Sequence, residues 1–322
     1  MRILVYGDIH LSSRKRTNRN NYPDESLHYF KFVTEQAEQL DVDCIVGLGD
    51  FSYGDFNNLK FRAIVEELLD RQVTQTHGER YELQGNHDIS NVGLSERDFY
   101  VERGKIKEAK GSFRGEYATV SLLNYGDAAL YSSDGGQSLE TNPDKTNIVL
   151  CHDFLRFQDS KISGYGNAGY TIEGLPGLNG VDWFVCGHIH DMLSDRSGGR
   201  VLFYPGAMAR PVAKGAIMEK AALVLIDTDS ADDTVQIYEV ELLPVEESFD
   251  LQRIARGKAD KEYREELTRS SGELRDAVRG LTPDGTRRTA LDIIRDNRQV
   301  TIEVRDKAMA YLTAAGSSAR QI

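Results

Sequence analysis

Five short apolar runs in this chain stop abruptly on residue types that bind metal ions, and this repetition constrains the fold more than any other feature. RILVYGDIH ends on Asp8 and His10, and DCIVGLGD on Asp50. YELQGNHD ends on Asn86, His87 and Asp88, NIVLCHD carries His152, and WFVCGHIH carries His188 and His190. Five of the seven histidines fall in these segments. Short runs rich in Val, Ile and Leu read as buried strands. Two amphipathic segments separate the first three runs. One extends from Asp24 to Leu40, with Leu27, Phe30, Val33, Ala37 and Leu40 inward and Asp24, after Pro23, as the expected N-cap. The other is FNNLKFRAIVEELLDRQ, with Phe61, Ile64, Val65, Leu68 and Leu69 on one face. Strand, helix, strand, helix, strand predicts parallel pairing with right-handed crossovers. Such sheets collect ligands beyond the carboxyl ends of their strands, where every one of these motifs falls.

Between residues 90 and 146 the text changes. EYATVSLLNYG and DAALYSS read as strands separated by Gly-rich turns, which predicts a second sheet of hairpins. VLFYPG at 201–206 is a further strand, and AALVLIDTD with TVQIYEVEL reads as a closing hairpin. The formal charge of −12 is unevenly spread. From Glu246 onward 15 basic residues face 14 acidic ones, so residues 1–245 carry −13. Strand-like text gives way to polar helical text at the same place. We therefore expect one large domain, 1–245, and a small helical C-terminal appendage, 246–322. Its helices are expected at Ala259–Val278, Thr289–Arg295 and Asp306–Ala314. Cys44, Cys151 and Cys186 lie inside apolar runs and read as buried thiols in a reducing compartment. No run approaches the length of a membrane span and no secretory leader is evident, so a cytoplasmic protein with no membrane partner is expected.

Two divalent ions held about 3.5 to 4 Å apart need a shared ligand, and a carboxylate has two oxygens to offer. Asp50, ending a central strand, is the candidate bridge. Asp8 and His10 stand two apart across a strand end, which lets both point into one pocket, and His188 and His190 have the same spacing, so one can face each ion. Nitrogen and oxygen donors without thiolate suit manganese, iron or zinc. His87 adjoins Asn86 and is placed to protonate a leaving oxygen, with Asp88 orienting it. An acidic chain argues against nonspecific nucleic-acid binding unless positive charge is local. Arg14, Lys15, Arg16 and Arg19 supply that locality in the loop directly after the first ligand pair, as candidate phosphate contacts.

The set GDIH, GD, GNHD, H and GHIH resembles the calcineurin-like metallophosphoesterase family over residues 1–245. The resemblance implies an α/β fold, a four-layered αββα metallophosphoesterase sandwich. It implies that Asp8, His10, Asp50 and His190 hold one ion, that Asp50, Asn86, His152 and His188 hold the other, and that His87 is the acid. GDFSYGD and GNHD depart from the GDxVDRG and GNHE of protein serine/threonine phosphatases. GDIHL, GNHD, GHIH and YPGAMAR instead resemble the nuclease subunit of SbcCD-type DNA-repair complexes, phage versions included, with Ala207 where Ser is usual. That implies a phosphodiesterase cleaving DNA with two divalent ions, manganese first among the candidates. Its implied partners are DNA and a coiled-coil ATPase bound through the C-terminal helices; a homodimer is a further expectation, with the oligomeric state left open. The alternatives are a phosphodiesterase for a small nucleotide or other phosphate ester, and a scaffold without catalysis. The intact ligand set argues against the scaffold.

Overall fold

A computed structural model of the chain describes residues 1–280, apart from residues 17, 55, 90–92, 161–168 and 211–218; side chains of residues 266, 267 and 270–280 are also outside the description. The helices expected at Thr289–Arg295 and Asp306–Ala314 lie beyond the described residues. Two compact units divide the chain, Met1–Leu251 and Gln252–Ile322.

In the first unit, β1 (Arg2–Tyr6), α1 (Tyr22–Gln39), β2 (Cys44–Gly47), α2 (Leu59–Gln75) and β3 (Arg80–Glu82) follow the expected alternation, and both strand pairs are parallel. Helix α1 starts two residues before Asp24: Asn21 is the flanking residue, and Asp24 sits in the first turn, where its charge favours the helix dipole. Helix α2 is capped by Asn58, whose side chain accepts the backbone N–H groups of Lys60 and Phe61 at 3.0 and 3.2 Å, a cap worth about 1 kcal/mol.

Then come α3 (Glu96–Glu102), β4 (Lys107–Glu108), β5 (Ser112–Arg114), β6 (Ala118–Leu123), β7 (Thr146–Cys151), β8 (Leu155–Arg156), β9 (Tyr170–Thr171) and β10 (Trp183–Cys186). The unit closes with β11 (Leu193–Ser197), β12 (Arg200–Tyr204), β13 (Lys220–Asp227), β14 (Val235–Glu241) and α4 (Val245–Ser248). One six-stranded sheet runs β14-β13-β1-β2-β3-β4, the other β11-β12-β10-β7-β6-β5. The second sheet is not the set of hairpins expected from the middle of the sequence. Its centre is parallel, β6 with β7, β7 with β10 and β10 with β12, and only its edge pairs, β5 with β6 and β11 with β12, are antiparallel. DAALYSS is not a strand either: Asp127–Tyr131 is a 3₁₀ turn.

Three apolar layers hold the sandwich together. Between the sheets, Ile3, Val5, Val46, Val224 and Ile226 of the first pack with Val120, Ile148, Leu150, Val185 and Phe203 of the second. On the outer face of the first sheet, Leu4, Tyr6 and Ile45 meet Phe30 and Val33 of α1 and Val65 and Leu69 of α2. The outer face of the second sheet, with Val149, Phe184 and Leu202, is covered by Leu155, Phe157 and the short 3₁₀ turns Ile172–Gly174 and Pro176–Leu178. The result is the mixed α/β, double-sheet sandwich expected from the motifs. Cys44, Cys151 and Cys186 are buried free thiols.

The first unit runs past residue 245 because the chain folds back after α4. Phe249 is buried beneath the Arg19 guanidinium, 4.0 Å from its ring centroid, and Arg210 donates to the Ser248 hydroxyl at 2.9 Å. The second unit begins within α5 (Leu251–Gly280). No helix among the described residues is long and apolar enough to cross a membrane.

Candidate metal centre

Because β1, β2 and β3 are mutually parallel, and β7 and β10 are too, each sheet delivers its motif residues at one edge, and the two edges meet. His10, Asp50 and His188 leave their strands in the left-handed region, with φ of 48°, 52° and 76°. Such a conformation costs a non-glycine residue of order 1 kcal/mol and turns each side chain across the strand end toward the neighbouring sheet. The loops are fastened together: His10 N–H donates to the Asp50 carbonyl at 3.0 Å and Leu11 N–H to that of Phe51 at 2.9 Å. YPGAMAR braces the other side, with Ala207 N–H on the His190 carbonyl and Met208 N–H on the Asp8 carbonyl, both at 2.9 Å.

Four donors, from Asp8, His10, Asp50 and His190, lie within 4.8 Å of one another. Beside them Asn86 Oδ1 stands 3.1 Å from His152 Nε2 and 2.8 Å from His188 Nδ1. Asp50 joins the two groups. Its Oδ2 is 3.7 Å from His10 Nε2 and its Oδ1 is 3.5 Å from His152 Nε2, one oxygen toward each set. This is the arrangement a shared ligand requires.

The electrostatics fit cations. Burial pushes the Asp50 carboxyl up to about 7. Asp8 is raised well above the usual carboxylate range by burial first and the Asp50 charge second. Burial holds His152 down at about 3 and His190 at about 4, and lowers His10 and His188 as well. The imidazoles are therefore neutral, as ligands must be. His10 Nε2 and His190 Nε2 face each other at 3.0 Å, two lone-pair positions that a cation satisfies together. The tautomer of His152 is set by a 2.6 Å contact from Nδ1 to the Leu48 carbonyl, which leaves Nε2 to ligate. Asp8 is steadied by the His188 N–H, 3.1 Å from both of its oxygens.

Glycine before a ligand is a steric necessity here. A Cβ on Gly85 would sit 2.2 Å from Asp50 Oδ1, and one on Gly187 would lie 2.7 Å from Asp8 Oδ1. Gly85→Ala should therefore displace the bridging carboxylate and lower hydrolysis by about 100-fold, while circular dichroism reports an intact fold. Unchanged activity in that variant would contradict the packing described.

The catalytic candidates separate. His87 is exposed, with its ring 5.4 Å from that of His10 and 5.0 Å from Tyr53, and its pKa is lowered by burial of part of the ring and then by Arg16. Asp88 does not orient it. Its oxygens accept backbone N–H groups of Gly85, Phe51 and Ser52 at 3.0, 3.3 and 3.4 Å, so it fastens the Asn86 turn to the Asp50 loop. Residues 86–88 form a 3₁₀ turn, which rotates successive side chains by about 120° and sends Asp88 away from its neighbour.

The basic loop also divides. Arg14 and Lys15 are exposed. Arg16 lies over the Tyr53 ring, 3.3 Å from its centroid, beside His87. Arg19 is buried, ion-paired with Glu25 and bonded to the Arg210 carbonyl, so it is a structural cation and not a phosphate contact. Sequence reasoning missed Tyr53, three residues after Asp50, and Tyr125 in the NYG turn, whose ring is 5.9 Å from that of His188. An aromatic in a Gly-containing turn near a ligand segment was the available signal.

The fold and this centre define a metal-dependent phosphoesterase. The chain belongs to the calcineurin-like phosphoesterase family, whose model matches residues 1–192. No protein of curated function matches the sequence. Among solved structures it is similar to a dimetal phosphatase from Danio rerio, 12% identical over 76% of this chain and 97% of that one, TM-score 0.45. It is similar to the phosphoesterase Yfce from E. coli at 18% identity, over 76% and 100%, TM-score 0.38. A zinc-complexed Vps29 from Entamoeba histolytica is 13% identical over 76% and 100%, TM-score 0.34.

Proposed function

We propose that this chain is a two-metal phosphodiesterase that cleaves DNA, the nuclease subunit of a recombination or repair complex of the SbcCD type. The observation that carries the reading is the split of the Asp50 oxygens between two donor sets, with Arg16 on Tyr53 and the exposed Arg14 and Lys15 on the loop leading away from His10. Asp8, His10, Asp50 and His190 would hold one ion, and Asp50, Asn86, His152 and His188 the other. Manganese suits this donor set, as do iron and zinc. When bound, such ions supply Lewis-acid stabilisation of a phosphoryl oxygen and activate water.

The protein's own groups do the rest. Arg16, stacked and half-buried, is placed to take a phosphate oxygen. Burial first and Arg16 second lower the His87 pKa; a phosphate seated on Arg16 offsets the second cause, which favours uptake of a proton from solvent by His87, and that proton passes to the leaving oxygen. Asp88 keeps the turn that carries His87 fastened to the Asp50 loop. Under this reading the chain from α5 onward is where the coiled-coil ATPase docks.

The test is digestion of linear and single-stranded DNA in manganese, against a small chromogenic diester. Replacing Arg14, Lys15 and Arg16 with Gln should weaken DNA cleavage at least about 10-fold more than diester hydrolysis and flatten its salt dependence. Arg19→Gln should instead lower stability. Equal losses on both substrates would favour a phosphodiesterase for small nucleotides.

A further inference from the structure

Two tyrosines flank the centre on opposite sides, and they are differently dressed. Tyr53, beside His87 and His10, has one face covered by Arg16. Tyr125, beside His188 and His152 with centroids 5.9 and 6.1 Å away, is 42% exposed. Its loop is nonetheless held firmly. Tyr125 N–H donates to the Gln84 carbonyl at 2.9 Å, and Asn124 Oδ1 accepts the Gln84 N–H at 2.8 Å. Gly126 N–H and Ala128 N–H reach the carboxylate of Asp153, at 3.2 and 3.3 Å. These bonds tie the loop to the residue just before Gly85-Asn86 and to the residue just after His152. None of them uses the Tyr125 side chain, so the ring is carried by the loop without being needed to build it. A large aromatic left open to water on a fixed loop, one ring's width from two candidate ligands, has the character of a recognition surface.

Resting on the nuclease reading above, we propose that Tyr125 is a stacking platform for the nucleobase next to the scissile phosphodiester. The base lies on the Tyr125 ring while its phosphate sits at the metal centre and Arg16 approaches from the other side. Stacking on a single aromatic is tolerant of base identity, so the platform confers recognition of a nucleobase without sequence preference. The same chemistry is offered by a DNA strand and by a dinucleotide, and the test distinguishes them.

The full chain in manganese is assayed as wild type, Tyr125→Ala and Tyr125→Phe. Substrates are a single-stranded oligonucleotide, the same oligonucleotide with abasic residues around the cleaved bond, and a dinucleotide. We expect Tyr125→Ala to raise KM for the base-bearing oligonucleotide by about 10-fold and Tyr125→Phe to restore it. On the abasic substrate, Tyr125→Ala should match wild type. Equilibrium binding of the two oligonucleotides in chelator should show the same ordering. A 10-fold effect on both strand and dinucleotide places one base on the platform; an effect on the strand alone means that flanking nucleotides are needed to seat it. Wild-type cleavage of DNA with no change in Tyr125→Ala, or equal losses on base-bearing and abasic strands, overturns this inference alone. A wild type inactive on every base-bearing ester overturns it together with the nuclease reading.

Discussion

Asp50→Asn is expected to abolish metal-dependent hydrolysis, a fall of about 1000-fold or more. The substitution preserves size and one oxygen but turns the other into an amide nitrogen that cannot ligate. Asp50 Oδ1 faces the His152 set and Oδ2 the His10 set, so one of the two donor sets would lose its share of the residue between them. Several kcal/mol of charge stabilisation is at stake, and each 1.36 kcal/mol is tenfold in rate. Elemental analysis should show the metal content falling below two ions per chain. His188→Ala would take a donor from one set only and should spare metal binding at the Asp8, His10 and His190 set. Full activity in Asp50→Asn would refute the shared site.

The second large effect concerns stability. Arg80 and Glu82 form a fully buried ion pair, 2.6 Å apart, behind the site. Glu82 also accepts the Tyr6 hydroxyl at 2.7 Å, and Arg80 donates to the Gln72 side chain at 2.7 Å. Gly49 N–H points at the other Glu82 oxygen at 3.4 Å, which links this network to the residue before Asp50. Arg80→Ala would leave a carboxylate buried without its cation, a loss of about 3 to 5 kcal/mol. Thermal denaturation should register this as a Tm lower by roughly 10 °C. The double variant Arg80→Met, Glu82→Leu should recover much of the loss, because neither charge remains to be compensated. A single variant as stable as wild type would show that the pair is not buried as described.

The seven ligand candidates were legible because each stands at a strand end, where apolar text breaks off, and strand order does not matter to that signal. The alternation of β1, α1, β2, α2 and β3 was legible for the same reason, since both periodicities are local. What was hidden depends on distant partners. DAALYSS looks like a strand, yet Gly126 adopts φ 85° and Asp153, from the far side of β7, takes the N–H groups of Gly126 and Ala128, which bends the segment into a 3₁₀ turn. Arg19 sits in a run of cations, but Glu25 and Phe249 bury it. Asp88 follows His87 in sequence and parts from it in space. The hairpin expectation for the middle failed because β7, β10 and β12 each pair with a strand reached through a long connection, a fact that no local pattern contains.

Strand β1 has β2 on one side, a neighbour about forty residues away, and on the other β13, whose residue Asp227 is paired with Arg2. During synthesis one flank of this central strand therefore waits, its N–H and C=O groups unpaired, while nearly the whole first unit is made. Contacts so remote in sequence form slowly, since loop closure must be met before any gain is returned. The same seam carries the Met208 bond to Asp8. A ribosome-stalled chain that stops short of β13 should consequently be sticky and dependent on chaperones, and the late pairing of β13 with β1 is also what completes the wall behind the candidate ligands.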